Sequence, residues 1–89
     1  MRIISQDKTE DIPYEMSTIC IEAVYPSRIC AKQAGLNDIL LGKYNNHEDA
    51  KTALQSVRMA YFSGKKYWLM PTADEVAGEG LAREQKSNS

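Results

Sequence analysis

The spacing of apolar residues changes from a strand period to a helix period along this chain, and that change restricts it to a mixed fold. From Ser17 to Tyr25, the residues Ile19, Ile21, Ala23 and Tyr25 alternate with Thr18, Cys20, Glu22 and Val24. Alternation is the signature of a strand with one buried face. After a turn at Pro26-Ser27, Arg28 to Ala34 alternates again, with Ile29 and Ala31 on one face and Arg28, Cys30 and Lys32 on the other. Two such runs around a short turn predict an antiparallel hairpin. Gly35-Leu36-Asn37-Asp38 supplies the next turn, and Ile39 to Tyr44 reads as the third strand of a meander. Beyond it Ala50, Ala53, Leu54, Val57 and Tyr61 fall on one helical stripe.

The helix has clear ends. Asn45 or Asn46 can cap its N-terminus, with Glu48 and Asp49 in the first turn, and Gly64 can accept the left-handed conformation at its C-terminus. The spacing predicts a helix over about 46–63. Arg2 to Ser5 reads as a short opening strand and Ile12-Pro13-Tyr14 as an edge strand, since Pro13 has no N–H to place in a central ladder. Lys65 to Met70 reads as a last strand, stopped by Pro71. The expected fold is α+β: an antiparallel meander sheet of four to five strands, one amphipathic helix packed on one face, and a final strand after the helix. Residues 1–72 form the single domain in this reading. Residues 73–89, polar and with Gly78 and Gly80, are expected to be a flexible tail.

Composition bounds the function. With 89 residues and 43% hydrophobic content there is one core and little interior to spare. Eleven basic residues against 12 acidic leave a formal charge of -1, so bulk polyanion binding is not favoured and nucleic-acid contact would need a local patch. The opening residues carry no apolar run of signal-peptide length, and no window approaches the roughly 20 apolar residues of a membrane span. The expectation is a cytoplasmic protein whose two cysteines, Cys20 and Cys30, stay reduced.

Three stretches together resemble a known group. They are Arg2-Ile3-Ile4-Ser5-Gln6-Asp7 with Asp11-Ile12-Pro13-Tyr14-Glu15, then Leu41-Gly42-Lys43-Tyr44, then Ala50 to Tyr61 followed by Tyr67 to Pro71. The chain resembles a family of short uncharacterised proteins of Gram-positive bacteria and their prophages, over most of residues 2–71. Lys8 stands where a turn glycine is usual in that family, so a looser or differently shaped first hairpin is expected. Asn45-Asn46-His47 replaces the usual Ser/Thr cap. The resemblance implies a small α+β domain and supplies no catalytic residues.

Chemistry-bearing residues are sparse. His47 is the single histidine, and nothing in the spacing brings it to either thiol, as a nucleophile–base pair requires. Cys20 and Cys30 lie too far apart in sequence for a zinc knuckle. They fall on different faces if the turn is two residues at Pro26-Ser27, and come together if the loop is centred on Tyr25. Gly64-Lys65-Lys66 follows a helix and lacks the earlier glycine and the following Ser/Thr of a phosphate loop. No cofactor, metal or catalytic residue is therefore assigned.

Two surfaces remain. One helix roofs one sheet face, so the other is expected to show Cys20, Val24, Leu40, Tyr44, Trp68 and Met70 and to bind a second copy or another host or phage protein. The predicted role is a non-enzymatic accessory or interaction protein. The alternative is a weak single-stranded nucleic-acid module using Arg28, Lys32, Lys43, Lys65, Lys66, Tyr67 and Trp68, since basic residues interleaved with aromatics suit phosphates and stacked bases.

Overall fold

A computed structural model describes residues 1–78 of the chain. These form β1 (Arg2–Ile4), β2 (Asp11–Pro13), a single 3-10 turn (Tyr14–Met16), β3 (Thr18–Ile21), β4 (Arg28–Lys32), β5 (Ile39–Lys43), α1 (His47–Phe62) and β6 (Tyr67–Leu69). The class is α+β, as expected. The sheet is not one meander of four to five strands. There are two three-stranded sheets, ordered β2-β1-β6 and β3-β4-β5.

The division follows from a pairing that local turns do not reveal. β1 pairs antiparallel with β2 through the hairpin but parallel with β6, matching Arg2 to Tyr67 and Ile4 to Leu69. A parallel partner needs a long connection, and here that connection runs through β2, the 3-10 turn, the whole of the second sheet and α1. The second sheet is the expected antiparallel meander of three strands. Its first pairing sets Cys20 opposite Cys30 and Ile21 opposite Ile29, which centres the loop on Tyr25. The pairing of β4 with β5 shifts register between Ile29 and Cys30. That bulge leaves Leu41 as the extra residue, and Leu41 is buried.

α1 forms where its stripe and caps place it. Asn46 Oδ1 accepts the Asp49 N–H at 2.8 Å. At the other end the Gly64 N–H donates to the Tyr61 carbonyl and the Lys65 N–H to the Ala60 carbonyl, with Gly64 at φ 79°. This is the glycine-dependent closing motif of helices. Ala50, Ala53, Val57 and Ala60 are buried on α1, and their small side chains let the helix lie close to β3 and β4. There it meets a face built from Ile19, Ile21, Ile29 and Ala31.

Two candidate surface residues prove to be core. Tyr44 is 7% exposed and Met70 1%, both packed with Ile3, Ile12, Leu41 and Val57 in one cluster. The assignment of Tyr44 and Met70 to an uncovered face is corrected: each lies just past the end of its strand and turns into the space where the two sheets meet. The core also extends past residue 72. Residues 73–78 are helical, Thr72 Oγ1 accepts the Glu75 N–H at 3.1 Å, and Val76 is 1% exposed in the core. The expected tail therefore opens with a packed helical segment, and its remainder, 79–89, lies outside the described residues.

Candidate interaction surfaces

The residues that carry the family resemblance have structural partners. The Ser5 hydroxyl, fully buried, donates to Asp7 Oδ1 at 2.7 Å and accepts the Glu10 N–H at 3.0 Å. Asp7 also accepts the hydroxyl and N–H of Thr9. Those hydrogen bonds, led by the two side-chain hydroxyls of Thr9 and Ser5, hold the Asp7 carboxyl down at about 2. Gln6 reaches the second sheet, bonding both ways with the Lys43 main chain and donating to the Pro71 carbonyl. Arg2 Nε donates to Asp11 Oδ1 at 2.8 Å across β1 and β2. Tyr14 stacks on Tyr61 with ring centroids 4.6 Å apart, and Glu15 pairs with the Met1 ammonium. Tyr44 donates to the Pro71 carbonyl at 2.8 Å. The motif is thus a set of ties between the sheets and the helix.

The outer face of the β3-β4-β5 sheet holds two of the candidate interaction residues. Cys20, Cys30 and Leu40 lie in a row across its three strands. Cys20 is half-buried, Cys30 is 2% exposed and Leu40 is 40% exposed. The thiols stand 3.7 Å apart. Burial, with the Cys20 thiol beside it, pushes the Cys30 thiol up to about 11. Val24 is exposed, but in the β3–β4 connection and not on a strand.

The residues of the nucleic-acid alternative are divided. Arg28 and Lys43 are cross-strand partners on that same outer face. Lys32 lies four residues along β4 from Arg28, 4.0 Å from Asp38, and Arg28 rests over the Tyr25 ring at 4.3 Å. Lys65, Lys66 and Tyr67 belong to the approach and start of β6 in the other sheet. Trp68 points the opposite way from Tyr67, packing against the core beside Ile3. Its indole Nε1 is buried and finds no acceptor among the described residues. Trp68 is half-buried, so only part of its ring is open to a stacked base.

His47 donates through Nδ1 to the Pro26 carbonyl at 2.9 Å, which ties the helix start to the β3–β4 connection. Among the described residues no group of three or more His, Cys, Asp or Glu is placed to hold a metal ion, and no helix is long and apolar enough to cross a membrane.

β6 is a surface that sequence reasoning located but did not describe. The Arg2 N–H donates to the Lys66 carbonyl, and the Met70 N–H to the Ile4 carbonyl. In a parallel ladder that phase turns residues 66, 68 and 70 toward β1 and leaves the N–H and C=O groups of Tyr67 and Leu69 pointing away. β6 has no strand on that side among the described residues. Tyr67 is 67% exposed and Leu69 43%. A concavity of about 570 Å³, lined by residues from Gly64 to Leu69, runs along the strand. The run from Lys65 to Met70, stopped by Pro71, signalled the strand; its position at an edge depended on the distant partner β1.

No protein family matches the chain, and no curated protein or solved structure is significantly similar to it.

Proposed function

We propose that this chain is a non-enzymatic interaction protein that works as a homodimer, joined edge to edge through β6. A prophage or mobile-element origin accompanies this reading and rests on the resemblance of the Arg2–Asp7, Asp11–Glu15, Leu41–Tyr44 and Tyr67–Pro71 segments alone. The observation that carries the proposal is the outward main chain of Tyr67 and Leu69 beside an open concavity. Unpaired strand edges are templates for another strand.

A second copy suits this edge for three reasons. An antiparallel pair with its two-fold axis at Trp68 places Tyr67 opposite Leu69 of the other copy, so both outward hydrogen-bonding residues are used and two exposed apolar side chains meet. The same arrangement brings the exposed Lys65-Lys66 end of each strand toward the exposed Asp74-Glu75 end of the other. Pro71, with no N–H, limits the pairing to this short register. So short an edge makes a weak, concentration-dependent dimer, below the standard interface of about 1,600 Å².

Sedimentation velocity over a concentration series tests it. The full chain is expected to shift from monomer to dimer, and Leu69→Pro to remain monomeric. That proline removes an outward N–H and none of the β1–β6 bonds, so circular dichroism and Trp68 fluorescence should be unchanged. A wild-type chain that stays monomeric throughout, or a Leu69→Pro chain that dimerises equally, overturns the proposal.

A further inference from the structure

On the outer face of the second sheet, Cys20 and Cys30 are direct cross-strand partners with sulfurs 3.7 Å apart. The Glu22 N–H donates to the Arg28 carbonyl at 3.0 Å. Glu22 and Arg28 therefore face each other as a hydrogen-bonded pair, and by alternation so do Cys20 and Cys30. Such pairs have Cα atoms about 5.5 Å apart, inside the range of about 4.4–6.8 Å that a disulfide spans. Closing the sulfurs to about 2 Å then requires side-chain rotation and a small approach of the two strands, since a disulfide holds its Cβ atoms about 3.5–4.5 Å apart and hydrogen-bonded cross-strand pairs sit at about 5.5 Å. Packing alone would be served by alanine or valine at either position; two thiols in register add a chemistry.

We propose that Cys20 and Cys30 form a reversible dithiol–disulfide couple, oxidised by low-molecular-weight disulfides. The two thiols differ in access. Cys20 is half-buried on edge strand β3, whereas Cys30 is buried on central strand β4, where its proton is held to higher pH. Cys20 is the attacking group and Cys30 the resolving one. The Cys20 thiol loses its proton and its sulfur attacks one sulfur of the small disulfide RSSR. That S–S bond breaks, a Cys20–SR bond forms, and the departing thiolate takes the proton as RSH. Cys30 then attacks Cys20 Sγ, the Cys20–Cys30 bond forms, and the second RS⁻ leaves and takes the Cys30 proton. Two protein thiols are oxidised and one RSSR is reduced to two RSH. The product staples edge strand β3 to β4 beneath the connection that carries exposed Val24 and Tyr25. This inference does not depend on the β6 dimer, since the two features lie on different sheets.

The test equilibrates the reduced full-length protein in glutathione buffers of graded ratio, followed by thiol counting and intact mass. The expected result is loss of both thiols together, a monomeric product lighter by two hydrogens, and full return on reduction. Cys30→Ala is expected to stop at one glutathionyl group on Cys20. In Cys20→Ser, Cys30 is expected to stay unmodified while the protein remains folded, which keeps the proposal open to refutation should Cys30→Ala not fold. Wild-type protein that retains a glutathionyl group, keeps both thiols free across the series, or links two chains through Cys20 overturns the couple. Modification of Cys30 in folded Cys20→Ser overturns the order of attack.

Discussion

The side-chain amide of Gln6 pairs with the main chain of Lys43 in both directions, Oε1 accepting its N–H and Nε2 donating to its carbonyl, each at 3.0 Å. Gln6 thereby acts as an extra strand residue laid against β5, and its Nε2 also donates to the Pro71 carbonyl at 3.2 Å. These bonds join the β1–β2 hairpin, the second sheet and the end of β6. Gln6→Ala should lower stability by about 1–3 kcal/mol, because groups at the junction lose their partners. Gln6→Glu should cost at least as much, since a carboxylate has no donor for the two carbonyls. Urea denaturation followed by Trp68 fluorescence measures both.

Lys8 adopts φ 65°, in the left-handed region that a side chain disfavours by roughly 1–2 kcal/mol. The hairpin tolerates it because Asp7 fixes the turn through Ser5 and Thr9. Lys8→Gly relieves the strain but also loosens the unfolded chain, so the net gain should be below about 1 kcal/mol. The expected outcome is a small rise in the thermal midpoint with no change in the far-ultraviolet spectrum.

How much of this was legible in the sequence depends on how far apart the partners lie. The helix over about 46–63 is observed at His47–Phe62 because its stripe and caps are local. The β3–β4–β5 meander was legible for the same reason. The Cys20–Cys30 register turned on a loop length that the residues left open, and the structure centres it on Tyr25. The parallel β1–β6 pair joins residues 2 and 67, and no turn chemistry announces such a contact. Missing it merged two sheets into one and put Tyr44 and Met70 on a surface. The edge of β6, on which the interaction proposal rests, was hidden by the same omission.

Tyr44 predicts the alkaline behaviour. Burial, with the negative charge of Glu75 adding to it, holds its hydroxyl well above the usual 10.0. The folded state keeps a proton that the unfolded chain releases, so this contribution is complete below pH 10.0 and is lost as pH rises beyond it. Cys30 acts in the same direction between 9.0 and about 11. Denaturant midpoints should therefore fall above pH 9, and Tyr44→Phe should remove the part of the fall that begins near 10. The phenylalanine variant should also be about 1 kcal/mol less stable at neutral pH, through loss of the bond to Pro71.

Val76 tests the last packed element. Thr72 and Glu75 form a reciprocal cap: Thr72 Oγ1 accepts the Glu75 N–H and donates to the Glu75 carboxylate at 3.2 Å. The threonine-to-glutamate spacing is visible in the sequence; its following stripe is too short to register as a helix. The cap positions Val76 in the core with Ile3, Tyr44 and Met70. Removing two methyl groups there should cost about 2 kcal/mol, from lost burial and the cavity left behind. Thr72→Ala should cost about 1 kcal/mol through the cap alone. If residues 73–78 were a solvated tail, neither substitution would move the denaturation midpoint, whereas docking of this segment requires Val76→Ala to lower it by more than Thr72→Ala.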